Sequence, residues 1–343
     1  MRHFFLKCFV ICSAISLFAS LPAPYSYAFY GGKTVRIIVG FSAGGGFDTY
    51  SRALARHLPN HIPGSPTIIV QNMPGAGSLT SANHVYKVAK PDGLTIGHFI
   101  GGLFLSQILD GPGIEFDAGK FEYLGAPVKD TPVCVLTKAS GITNMEKWMA
   151  ASTPVKLGAS APGNSTYDHP KILKDILGLP IQIVGGYKGT ADIRLAAEGG
   201  EVGGGCWTWD SIKATSGRAI ESGEMVVVLQ MTPQPLADLP KVPLAINYAK
   251  TQDGRRLIQA AIHDVSDVMR PYVMPPVTPR DRVQLLQKAF QDTLKDPAFV
   301  ADAKKSKLTL DPVSGEELKN RVASLFGLSP SLRAKLKDLL TGK

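Results

Sequence analysis

The stretch Phe41-Ser-Ala-Gly-Gly-Gly-Phe-Asp48 restricts what this chain can fold into more than any other. It follows a β-type run at 35–39 and leads into a helix-type run at 48–58. A glycine turn between strand and helix leaves backbone N–H groups free at the positive end of the helix, where an anionic group is welcome. Three later segments have the same make-up: Asn72-Met-Pro-Gly-Ala-Gly-Ser78, Ala161-Pro-Gly-Asn-Ser-Thr166 and Gly185-Gly-Tyr-Lys-Gly-Thr190. Four such turns in one chain predict a cradle for a small acid.

The elements around the turns alternate. Runs at 35–40, 67–71, 94–99, 123–128, 133–136, 155–159, 181–184 and 225–230 read as strands. Between them, Tyr50, Leu54 and Leu58 share one helical face, as do Leu79, Ala82, Val85, Tyr86 and Ala89; a third helix carries Ile172, Leu173, Ile176 and Leu177 and stops at Gly178. This alternation predicts an α/β architecture with mainly parallel sheets. The last hundred residues differ: after proline-rich connections at 239–243 and 274–279 come helices at 281–294 and 297–305, and Ser314-Gly-Glu-Glu317 reads as a capping box opening another.

The first 28 residues read as an export signal. Arg2 and Lys7 form a positive start, residues 8–21 are mostly apolar, and Ser26-Tyr-Ala28 fits a small-x-small cleavage site. Cleavage near Ala28 predicts a periplasmic protein of about 315 residues, a length that usually divides into two domains. Without Arg2 and Lys7 the formal charge of +9 becomes +7, which suits a general attraction of anions as well as it suits an ordinary basic surface. No run of basic residues with interleaved aromatics points to nucleic acid. Cys134 and Cys206 remain after cleavage; a single disulfide in an oxidising compartment and two buried thiols are both open.

Each turn has a plain reading beside the binding one. In the first, Gly44 and Gly46 start a dinucleotide signature, but Thr49 stands where its third glycine belongs. Asp48 either complements the helix dipole or lines a cleft. Gly75 and Gly77 allow close backbone approach, and Ser78 is placed to cap the next helix. Ser165 and Thr166 offer hydroxyls and amides, while His169 reads as a surface or cleft-edge residue. Tyr187 is placed to wall the site, and Lys188 reads as exposed. The tryptophans of Cys206-Trp-Thr-Trp-Asp210 either pack over a ligand or fill a core. No nucleophile motif is visible. His57 and His61 have Pro59 between them, which spoils helical zinc geometry. Neither a metal nor a cofactor is expected, and the chain does not read as an enzyme.

The chain resembles the extracytoplasmic solute receptors of tripartite tricarboxylate transporters, the Bug family. Five segments carry the likeness in order: 35–48, Val70-Gln-Asn-Met-Pro-Gly-Ala-Gly77, Lys90-Pro-Asp-Gly-Leu-Thr95, the Tyr187-Lys-Gly-Thr190 element, and Asp238-Leu-Pro-Lys-Val-Pro243. Ser42-Ala43, Gln71, Met73 and Gly185-Gly186 depart from the usual pattern, and Cys206-Trp-Thr-Trp209 lies outside it. The resemblance implies a two-lobed Venus-flytrap fold, with 29–130 and 238–343 forming lobe 1 and 131–237 lobe 2. It implies a monomer that holds a carboxylate mainly through amides, hydroxyls and waters, and that hands it to the membrane subunits of a transporter. The site residues expected are Phe41, Ser42, Ala43, Gly45, Gly46 and Asp48; Gly75, Ala76, Gly77 and Ser78; Ser160, Asn164, Ser165 and Thr166; and Tyr187, Thr190, Trp207 and Asp210. Arg52, one turn beyond Asp48, is not expected to reach the ligand. The rival expectations are a ligand-binding adaptor for a sensor kinase and an exported α/β hydrolase.

Overall fold

A computed structural model describes residues 29–342; the export signal and its cleavage point lie outside the described residues. The chain first builds β1 (Thr34–Val39), α1 (Gly46–His57), β2 (Thr67–Asn72), α2 (Leu79–Lys87), β3 (Thr95–His98), α3 (Gly102–Ile108) and β4 (Glu122–Ala126). It then crosses to a second sheet. There it makes β5 (Pro132–Thr137), α4 (Met145–Met149), β6 (Val155–Gly158), α5 (Ser165–Leu177), β7 (Ile181–Val184), α6 (Thr190–Glu198), β8 (Gly204–Thr208), α7 (Trp209–Glu221) and β9 (Met225–Gln230). The return runs through α8 (Gln252–Ile258), a π-helical turn (Gln259–His263) and α9 (Asp264–Ser266) to β10 (Tyr272–Met274). It ends with α10 (Arg280–Lys295), α11 (Pro297–Lys305), β11 (Val313–Ser314), α12 (Gly315–Leu325) and α13 (Pro330–Thr341).

Two sheets flanked by helices result, in the orders β11-β4-β10-β3-β1-β2 and β7-β6-β8-β5-β9. The two-lobed α/β expectation holds, but both sheets are mixed. Parallel pairing is limited to β1 with β2 and β3, and to β6 with β7 and β8. The strands next to the two crossings, β5 and β10, pair antiparallel with both their neighbours. A helical crossover makes parallel neighbours, whereas a strand that enters from the other lobe arrives from the opposite end of the sheet.

Three strands escape the sequence reading. β8 starts with Gly204-Gly205 and so lacks strand propensity. β10 is three residues between Pro271 and Pro275, and β11 is two residues. The helices follow the periodicity closely. Gly178 ends α5 at φ +69°, and Ser314 Oγ accepts the Glu317 N–H at 3.2 Å as a cap. Among the described residues no helix is long and apolar enough to cross a membrane.

Cys134 and Cys206 are bonded; they face each other across the β5–β8 pair, so the antiparallel register brings together residues 72 apart in sequence. The loop they close contains α4, β6, α5, β7 and α6. A cross-link over that length removes chain entropy from the unfolded state worth about 4 kcal/mol. Urea denaturation of a Cys134→Ala, Cys206→Ala variant is therefore expected to show a loss of about 2–5 kcal/mol against the oxidised protein, and adding reductant to the variant is expected to change nothing further.

Candidate functional site

The parallel strands deliver their turns to one place. In β1–turn–α1 and β6–turn–α5 the chain leaves the C-terminal end of a parallel strand and enters a helix, so that the helix N-terminus faces the crevice between the sheets. α6 and α7 begin at the same crevice from the second lobe. A cavity of about 30 Å³ lies there, bordered by Gly45 and Gly46 at the start of α1, by Asn164, Ser165 and Thr166 at the start of α5, by Thr190 opening α6, and by Thr208 and Ser211 at the start of α7. Three of these four helices, α1, α6 and α7, have no side chain capping their first turn; at α5, Asn164 Oδ1 accepts the Thr166 N–H at 2.9 Å. Four positive helix ends around one space make it a strong environment for negative charge.

The rest of the lining is Phe41, Phe47, Ile100, Ser160, Trp207, Asp130 and Arg270. Asp130 lies on the first segment that passes between the two sheets and Arg270 on the second. Arg270 Nε donates to Asp130 Oδ1 at 2.6 Å, and the two side chains are 1% and 5% exposed. Burial pushes the Asp130 carboxyl above the usual carboxylate range, against the pull of Arg270; burial also opposes the Arg270 charge, but Asp130 outweighs it. The crossings are further joined by the Asp130 N–H donating to Ser266 O at 3.0 Å. Among the described residues, three buried donors that border this cavity have no partner: Arg270 Nη1, Trp207 Nε1 and Ser160 Oγ.

Of the expected residues, Phe41, Gly45, Gly46, Ser160, Asn164, Ser165, Thr166, Thr190 and Trp207 meet at this cavity. The others stand behind or beside it. Asp48 accepts from Gly44 N–H, Arg52 Nε and Asn72 Nδ2 at 2.8–2.9 Å. Burial works against its charge, but those three donors hold its pKa below the usual range. Asn72 Nδ2 also donates to Phe41 O at 2.9 Å, so this cluster ties the first two glycine turns together. Ser42 Oγ donates to Asp192 Oδ2 at 2.7 Å and its N–H to Lys188 O at 3.1 Å, two bonds that join the lobes. Ala43 and Ala76 are exposed. Gly75 and Gly77 have φ of +153° and +63°, and Gly77 O accepts from Asn164 Nδ2 at 3.4 Å across the cleft. Ser78 does not cap α2; its Oγ accepts the Ile100 N–H at 3.1 Å. Tyr187 donates to Glu201 at 2.7 Å, and Asp210 accepts from Thr131 Oγ1 at 2.9 Å, both away from the lining. Lys188 is exposed. His169, expected at a surface or cleft edge, is 1% exposed with neither ring nitrogen bonded, because α5 packs that face against the return segment carrying His263.

Sequence reasoning missed Arg270, Asp130, Ser211, Thr208, Phe47 and Ile100. Arg270 sits in an apolar run between Met269 and Pro271-Tyr-Val-Met274; a lone charge in such a run is the available signal of a buried cation with a partner elsewhere.

Two α/β lobes joined by two crossings, with a donor-lined cavity between them, define the two-lobed solute-binding class. A model of the tripartite tricarboxylate transporter family receptor matches residues 52–322, and the chain belongs to that family. It is similar to the UPF0065 protein in gbd 5'region of Cupriavidus necator, 27% identical over 206 residues that span 59% of this chain and 62% of that relative. Its fold is similar to that of the periplasmic binding protein BugD, with a TM-score of 0.71 at 22% identity over 90% of this chain and 98% of the other. It is also similar to MatC from Rhodopseudomonas palustris with bound malate, TM-score 0.70 at 19% identity over 90% and 99%. A second R. palustris protein, solved with adipate, gives 0.70 at 19% over 89% and 97%.

Two outcomes follow from this geometry. A Cβ at Gly46 would overlap Ser211 Oγ of the other lobe and come within 3.5 Å of Arg270 Nη2. Gly46→Ala is expected to fold normally but to resist closure, and small-angle scattering with saturating ligand would show a larger radius of gyration than the parent. Separately, burial pushes the His169 imidazole down to about 3, with His263 adding to the effect. The folded state keeps this ring neutral while the unfolded chain takes a proton below about pH 6.5. Its stability contribution is therefore complete above 6.5 and is lost as pH falls towards 3. His169→Phe is expected to flatten the stability profile over that window by about 1.4 kcal/mol per pH unit, measured by urea melts at stepped pH.

Proposed function

We propose that this protein is a periplasmic receptor that captures a small organic acid between its lobes and presents it to the membrane subunits of a tripartite tricarboxylate-type transporter. The observation that carries this reading is the convergence of four helix N-termini and three unpartnered buried donors on one cavity. Donors without acceptors suit a guest whose polar atoms are acceptors, and a carboxylate is the commonest small one. Family membership supports the transport role, and the bound malate and adipate of the two R. palustris structures support an acid as guest.

In this reading lobe 1 comprises 29–130 with 238–343 and lobe 2 comprises 131–237, and the two move about the paired crossings as hinge. The cavity has room for one or two waters, so an acid of several carbons enters only when the lobes part. Ser42–Asp192 and Asn164–Gly77 are the polar contacts that open to admit it. The protein acts as a monomer and binds without chemistry.

A thermal-shift panel of mono-, di- and tricarboxylates, acidic amino acids, sugars and amines tests the reading. A true ligand at a hundredfold excess over Kd is expected to stabilise the fold by about 2.7 kcal/mol. A panel in which sugars or amines raise the Tm and no acid does would sink the proposal.

A further inference from the structure

The guanidinium of Arg270 is fixed on two edges. Nε donates to Asp130 Oδ1 at 2.6 Å and Nη2 to Ser211 Oγ at 3.0 Å. The rings of Phe47 and Tyr50 lie 4.9 and 5.1 Å from its central carbon, so the plane has little freedom to turn. Among the described residues Nη1 alone is left without a partner, on a side chain 1% exposed that borders the cavity. A charged donor left in this condition bears its full desolvation cost, and an ionised acceptor relieves it best.

The lining is also poor in carboxylates. Its one acidic side chain is Asp130, and Asp130 Oδ1 is engaged by Arg270. Asp48 and Asp210 stand outside the lining, each with donors of its own. A second set of donors, the Ser160 hydroxyl and the start of α5, borders the cavity from the other lobe. An ammonium group on the guest would find no carboxylate in the lining that is not already paired with Arg270.

Building on the acid-receptor reading above, we infer that Arg270 is a carboxylate anchor and that the guest is an acid with at least two carboxylates and no amino group. One carboxylate meets Arg270 Nη1, and another meets Ser160 and the opening turn of α5. Asp130 is a positioning residue: it holds the guanidinium so that Nη1 points away from the ion pair. The preference for a diacid is then built into the hinge between the lobes, where both crossings hold the anchor.

Calorimetry on the protein with matched acids tests this: succinate against butyrate, glutarate against pentanoate, adipate against hexanoate, with aspartate and glutamate alongside. In at least one pair the diacid is expected to bind about 100-fold more tightly than the monoacid, as loss of one partner of a buried charge pair implies. The amino acid of equal length is expected to bind about tenfold more weakly than its unsubstituted diacid or worse. Arg270→Met combined with Asp130→Leu removes both charges and orphans neither; in it the diacid advantage is expected to shrink below about tenfold. Arg270→Lys keeps the charge and loses the fixed fork, and is expected to lower the advantage by about tenfold while remaining folded. Equal binding of diacids and monoacids by the parent protein overturns the inference and leaves the receptor reading standing. So does an undiminished diacid advantage in either folded variant, or tighter binding of aspartate or glutamate than of their diacids. Binding of no acid at all removes both.

Discussion

The buried ion pair between Arg270 and Asp130 is the interaction around which this molecule is organised. Each residue lies on one of the two segments that pass between the two sheets. Both are almost wholly withdrawn from water, so neither charge is tolerable without the other. The pair therefore fixes the separation and direction of the crossings at the floor of the crevice. Around the cavity stand the ion pair and the N-terminal ends of four helices.

The glycines of the first turn act at the same place. Gly45 and Gly46 lie where α1 of one lobe meets α6 and α7 of the other, and side chains there would run into Thr190 and Ser211. Their use is close approach between lobes as much as free amides. Asp48 has a similar double meaning. It is buried behind the turn, where Gly44, Arg52 and Asn72 bond it, so it holds the shape of the cradle without touching its contents.

How much of this was legible follows from how local each signal is. The β1–turn–α1 and β6–turn–α5 units are contiguous, so their glycines, caps and periodicity can be read directly, and Gly45, Gly46, Ser165 and Thr166 fall where such turns put them. The partnership of Arg270 with Asp130 joins residues 140 apart and has no motif; only the return of the chain through β10 makes it. Ser211 and Thr208 were hidden for a related reason. They open α7 after β8, a strand begun by two glycines, and without that strand nothing places them at the crevice. Trp207 could be singled out by composition, yet its two roles, packing and donating, separate only once its indole N–H is found buried and unbonded on the cavity.

The tightness of the closed crevice carries a consequence for discrimination. A crevice that narrows to the volume of one or two waters leaves little room for water beside a guest, so in the proposed reading whatever is enclosed sheds much of its hydration shell. Compact, strongly hydrated oxyanions such as sulfate pay most in that exchange and regain least from scattered donors. A molecule with charged ends and an oily middle gives up less water per charge and offers Phe41, Phe47 and Ile100 something to touch. Under the acid-receptor reading proposed above, dehydration would serve as the sieve, and attraction would only aim what passes through it.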